Sequence, residues 1–217
     1  MIRHLLSRRR DREIRVYAAL GDSFTAGNGC DPDQRWANLL AEELRVTNPD
    51  LEYFNLARDG ADSRDVLEQV PEAVGLRPDL VTLVCGANDV ILNLRPDIDA
   101  FSARLELMLD RLRRTLPEAA IVTATYPVGW KLEGIGPRTR TRIHSGMTDL
   151  NRAIRQVSSG RGVPCLDVVD HPGLGDPGNF EPDGLHPSAA GHRHAATEFL
   201  GMVATSFQIE TTTSRSA

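Results

Sequence analysis

Val16 to Gly29 reads V-Y-A-A-L-G-D-S-F-T-A-G-N-G, and the fold turns on how that stretch is read. Val16 to Leu20 is a short apolar run of the kind that forms a buried strand, and it ends abruptly at Gly21, Asp22 and Ser23. A serine is left where the strand stops. In α/β proteins strand ends open into crevices, and a helix starting there offers unpaired backbone N–H groups that favour developing negative charge. Ser23 is on these grounds the candidate nucleophile, and the rest of the chain has to supply a base and a set of oxyanion donors.

Outward from this stretch, short apolar runs alternate with longer amphipathic segments, the signature of a parallel sheet covered by helices. Five strands are predicted: Ile14 to Leu20, Leu51 to Leu56, Leu80 to Cys85, Ala120 to Thr125 and Pro164 to Val168. Gln34 to Val46 puts Trp36, Leu39, Leu40 and Leu44 on one face as a crossover helix, closed by the Asn48-Pro49-Asp50 turn. Asp62 or Ser63 caps the next helical segment, which Pro71 breaks or kinks before Gly75 and Pro78 return the chain to the sheet. From Asp97 to Leu116 the clearest helix keeps Phe101, Leu105, Met108, Leu109 and Leu112 at helical spacing as a core stripe. Tyr126 to Pro137 reads either as the wall of a pocket at the strand ends, lined by Tyr126 and Trp130, or as a plain surface loop. A helix over about Arg138 to Val157 opens with Arg138, Arg140 and Arg142, a grouping that reads as a solvated face. Asp170 to Pro187 is a long irregular segment of the sort that is often functional, and a last helix covers about Ser188 to Phe207. Residues 14–207 form one domain in this reading, between a basic tail (1–13) and a disordered polar tail (208–217).

With 41% hydrophobic and 25% charged residues and a formal charge of −5, the chain has the make-up of an ordinary soluble protein, not of a nucleic-acid binder or a disordered chain. The first residues carry Arg3, Arg8, Arg9, Arg10, Arg12 and Arg15 but lack the apolar stretch that follows the basic start of a signal peptide. No apolar run is long enough for a membrane span, so a cytoplasmic protein without an integral membrane segment is expected. Cys30, Cys85 and Cys165 form no metal-type pair and read as reduced thiols. His192 and His194, two apart on a helix, point to different faces and make poor joint metal ligands. No metal or cofactor is expected.

A serine hydroxyl is a weak nucleophile until a base takes its proton, and that base is usually a histidine oriented by a carboxylate. Asp183-Gly184-Leu185-His186-Pro187 offers both on a tight turn, with Gly184 easing the bend and Pro187 starting the last helix. Donors for a developing oxyanion come from two further strand ends. Asn55-Leu56-Ala57-Arg58-Asp59-Gly60 ends in a glycine N–H that a substrate can approach closely, and Gly86-Ala87-Asn88-Asp89 offers a carboxamide N–H. Asp22 and Asp89, beside these residues, read as stabilisers of turns and helix starts.

Taken together, G-D-S-F-T-A-G-N-G, N-L-A-R-D-G, G-A-N-D and D-G-L-H-P-S-A-A-G-H resemble the blocks of the SGNH hydrolases, also called GDSL esterases and lipases. The resemblance spans about Val16 to Ala196. It implies a three-layer α/β/α sandwich, flavodoxin-like, with about five parallel strands and no metal. It also implies Ser23 as nucleophile, His186 as base and Asp183 as orienting acid, with Ser23 N–H, Gly60 N–H and the Asn88 side chain as oxyanion hole. The sharp G-x-S-x-G elbow of α/β-hydrolases is absent around Ser23. The implied activity is hydrolysis of a carboxylic ester, of esterase, lipase or deacetylase type, through an acyl-enzyme. The small-molecule partner is then an ester or acylated compound. Transfer to an alcohol, action on a thioester, and a non-catalytic binding module are the alternatives, and neither substrate nor oligomeric state follows from the residues.

Overall fold

The computed structural model describes residues 13–128 and 134–207. Trp130 lies outside them, as do the expected tails apart from Glu13. Five strands, β1 (Val16–Gly21), β2 (Glu52–Asn55), β3 (Leu80–Val84), β4 (Ala120–Ala124) and β5 (Cys165–Leu166), form one parallel sheet in the order β2-β1-β3-β4-β5. Every residue of β3 is buried, as a strand covered on both faces requires. The strand order reverses between β1 and β3, the switch point at which open sheets of this kind bind ligands. Gly21 pairs in register with Val84, so β1 and β3 stop at the same edge and release Asp22-Ser23 and Gly86-Ala87-Asn88 side by side.

The helices make the outer layers. On one side α2 (Trp36–Arg45) packs against α7 (Ala189–Phe207), with the Trp36 and Phe199 rings stacked 4.1 Å apart. On the other, α3 (Ser63–Leu76), α5 (Ile98–Thr115) and α6 (Pro137–Gly160) lie in sequence, α3 against α5 and α5 against α6. The chain thus has the three-layer α/β/α architecture of the SGNH hydrolases. Two short helices at the carboxyl edge of the sheet escape the periodicity of the sequence because one turn is too short to show it. These are α1 (Ser23–Ala26) and α4 (Ala87–Ile91).

Two expectations need correction. The break or kink at Pro71 is not a break, since α3 runs unbroken from Ser63 to Leu76. Proline removes one backbone donor, but Pro71 stands on the exposed side, and the helix is held by the Asp62–Asp65 capping box and by buried Val66, Gln69, Val70 and Ala73. The fifth strand is two residues long instead of five. Past Leu166 a side chain replaces the ladder, with Val168 N–H donating to Thr125 Oγ1 at 2.9 Å.

Candidate active site

The serine turn begins with a glycine that no other residue can replace. Gly21 has φ +156°, and a Cβ there would stand 2.3 Å from the Val84 carbonyl oxygen and 2.7 Å from Thr25 Oγ1. Its peptide groups are held by the buried Gln69 of α3, which accepts from Gly21 N–H and donates to Gly21 C=O, both at 2.9 Å. Asp22 follows as N-cap of α1, accepting from Phe24 N–H at 3.0 Å. Its other oxygen accepts from the Tyr126 hydroxyl at 2.6 Å. Burial pushes the Asp22 carboxyl up to about 6, against the opposing pull of Tyr126, the backbone and His186.

Ser23 stands at the first position of α1. The His186 Nε2 lies 3.0 Å from Ser23 Oγ, and the His186 Nδ1 lies 2.6 Å from Asp183 Oδ2. The other Asp183 oxygen accepts from the N–H groups of Leu185 and His186 at 2.8 and 3.0 Å. Burial would raise the Asp183 carboxyl, but its bonds to His186 and these two N–H groups outweigh that and hold it below the usual carboxylate range. Three residues split between the two ends of the chain therefore form one hydrogen-bonded series.

Gly60 lies in the loop after β2 at φ +73°, with open space where a Cβ would stand. Asn88 sits in the first turn of α4 and donates one carboxamide hydrogen to Ala61 C=O at 2.9 Å, leaving the second for another acceptor. Asp89 accepts from Ser63 N–H and Oγ–H at 2.8 and 2.6 Å, which ties α4 to the start of α3. Asp22 and Asp89 thus both anchor helix starts.

Tyr126 is a buried residue. It is 2% exposed, and Asn151 of α6 grips its backbone from both sides, accepting from its N–H at 2.9 Å and donating to its C=O at 2.7 Å. The ring packs under the serine turn, edge-on to Phe24 with centroids 6.1 Å apart. An apolar cavity of about 70 Å³ lies between the sheet, α7 and the segment over residues 168–187. Among its walls are Phe24 and Pro187, the residues that follow Ser23 and His186, together with Leu166, Leu174, Phe180 and Phe199.

His192 and His171 have structural surroundings. His192 is fully buried, accepts from Trp36 N–H at 3.3 Å, and is pushed down to about 4 by burial and by the nearby Arg35 and His186. His171 accepts from Gly173 N–H and pairs with Glu198 at 3.4 Å. Cys30, Cys85 and Cys165 are free thiols, the first two buried. Among the described residues, no group of three or more His, Cys, Asp or Glu is placed to hold a metal ion.

Gln69, Asn151 and the Tyr126 hydroxyl are the supporting residues that sequence reasoning missed. The first two do carry a signal. Each is a carboxamide standing on the apolar stripe of its helix, Gln69 among Val66, Val70 and Ala73, and Asn151 among Met147, Leu150 and Ile154. A buried carboxamide must find partners, and here both find backbone near the serine.

Residues 19–194 match the GDSL-like Lipase/Acylhydrolase family, and the chain belongs to that family. No curated protein sequence matches it. Among solved structures it is similar to a lipase/acylhydrolase from Enterococcus faecalis, with TM-score 0.71 and 20% identity over 91% of this chain and 98% of that one. It is also similar to the acetyl xylan esterase AlAXEase, with TM-score 0.71 and 18% identity over 87% and 99% of the two chains. A third similar structure is the extracellular lipase from Streptomyces rimosus, with TM-score 0.64 and 22% identity over 88% and 98%. At these identities the likeness is one of fold.

Proposed function

We propose that the protein is a serine ester hydrolase that works through an acyl-enzyme on Ser23. The observation that carries the reading is the series Asp183–His186–Ser23, with contacts of 2.6 and 3.0 Å at the switch point of the sheet. His186 Nε2 takes the proton as Ser23 Oγ attacks the ester carbonyl carbon, and Asp183 holds the imidazole by Nδ1 and stabilises the imidazolium that forms. The carbonyl oxygen becomes negative and is received by the N–H groups of Ser23 and Gly60 and by the second Asn88 carboxamide hydrogen. Collapse breaks the bond to the alcohol, which leaves with the proton from His186. Water then attacks the acyl-enzyme with His186 again as base, releasing the acid and restoring the Ser23 hydroxyl.

The substrate is a carboxylic ester of a small molecule, of esterase, lipase or deacetylase type. Both the family and the acetyl xylan esterase likeness support that class. Ser23→Ala is expected to abolish turnover of a panel of p-nitrophenyl esters and labelling by a fluorophosphonate, with the circular dichroism spectrum unchanged. Full turnover by that variant rejects the reading.

A further inference from the structure

The α4 turn that carries Asn88 is five residues long, too short to persist without outside support. Its last carbonyls have no partner within the helix. Arg142 of α6 supplies one, donating through Nη1 to Val90 C=O at 2.9 Å and to Asn93 C=O, and through Nη2 to Ile91 C=O at 3.4 Å. One planar guanidinium thus spans three carbonyls, and its charge sits at the negative end of the helix. One turn further along α6, Gly146 comes so close to Val90 that a Cβ there would stand 2.7 Å from its Cγ1. From the opposite side Asp89 is tied to Ser63, with Arg104 at 3.4 Å. The first Asn88 carboxamide hydrogen is committed to Ala61 C=O, so the direction of the second depends on where α4 stands.

We propose that Arg142 is a positioning residue for oxyanion stabilisation, acting through Asn88 by clamping the carboxyl end of α4. The proposal rests on the reading of Asn88 as an oxyanion donor. It separates Arg142 from Arg138 and Arg140, which stand exposed on the same helix while Arg142 is half-buried.

A double-mutant cycle on p-nitrophenyl acetate tests it. Misplacing a catalytic group by about 1 Å costs roughly 100-fold in rate, so Arg142→Ala is expected to lower kcat roughly 10- to 100-fold with little change in KM. Arg142→Lys, which keeps the charge without the fork, is expected to lower kcat as well, and it carries the cycle if the alanine variant does not fold. Asn88→Ala alone is expected to cost about 100- to 1,000-fold. In the Asn88→Ala background, adding Arg142→Ala is expected to cost less than about twofold, because the group it acts through is gone. Added guanidinium ion is expected to restore part of the kcat of Arg142→Ala and none of that of Asn88→Ala. Losses that multiply in the double variant, or full kcat in a folded Arg142→Lys protein, overturn the proposal. Full activity in Asn88→Ala, with Ser23→Ala inactive, overturns the oxyanion reading itself and the proposal with it.

Discussion

Asp22 and His192 are two buried titratable groups whose linkage to folding runs in opposite directions. Asp22 holds its proton to about pH 6 in the folded protein, against an ordinary 3.8, so its contribution is present at low pH and is lost as pH rises from about 4 through 6. His192 titrates near 4 when folded, against an ordinary 6.5, so its contribution is present above pH 6.5 and is lost as pH falls toward 4. Each displacement is worth on the order of 3 kcal/mol, and over this window the two largely offset. Asp22→Asn is therefore expected to give a protein whose stability rises from pH 4.5 to 6.5, whereas His192→Gln is expected to give one whose stability falls over the same range. Urea midpoints at the two pH values check both slopes. Neither group is legible as perturbed from sequence. Tyr126 lies 104 positions from Asp22 and Trp36 lies 156 from His192, and local patterning says nothing about partners that far away. Ser23, Asp183 and His186 are legible for the opposite reason. Their immediate neighbours, Gly21 and Gly184 included, give the local backbone its shape, and the backbone aims the side chains.

At the scale of elements, α3 shows what periodicity reads and what it misses. Its start is written in the Asp62 cap and its face in Val66, Val70 and Ala73, but the consequence of Pro71 depends on which side of the helix faces solvent. Its buried Gln69 is the link from this helix to the serine turn. Gln69→Leu fills similar space yet leaves Gly21 N–H and C=O without their side-chain partner. That is expected to cost about 1–3 kcal/mol for each abandoned group and to lower kcat through the adjacent Asp22-Ser23 turn. Thermal denaturation and kcat measured on the same preparation check it. Gly21→Ala is expected to be more damaging still, since its methyl group would meet the Val84 backbone carbonyl, which cannot turn aside, as well as the Thr25 side chain.

At the scale of the whole molecule, the alternation of strands and helices is legible because buried parallel strands are nearly pure apolar runs. What the sequence leaves unread is the way distant side chains join the layers. Trp36 is one such joint, stacking on Phe199, donating from its indole N–H to Phe24 C=O at 3.0 Å and from its backbone N–H to His192. Trp36→Ala is expected to destabilise the protein by about 3–5 kcal/mol, read from urea unfolding.

The 163 positions between Ser23 and His186 also set a clock. During synthesis the serine emerges well before its base, so no nascent fragment that stops short of residue 186 holds the complete series. In refolding from urea, β1, β2 and β3 can pair from segments that are close in the chain, while the turn over 183–187 must find Ser23 across nearly the whole chain. Recovery of ester turnover is accordingly expected to lag behind recovery of the far-ultraviolet signal, with esterase activity serving as a reporter of the final loop closure.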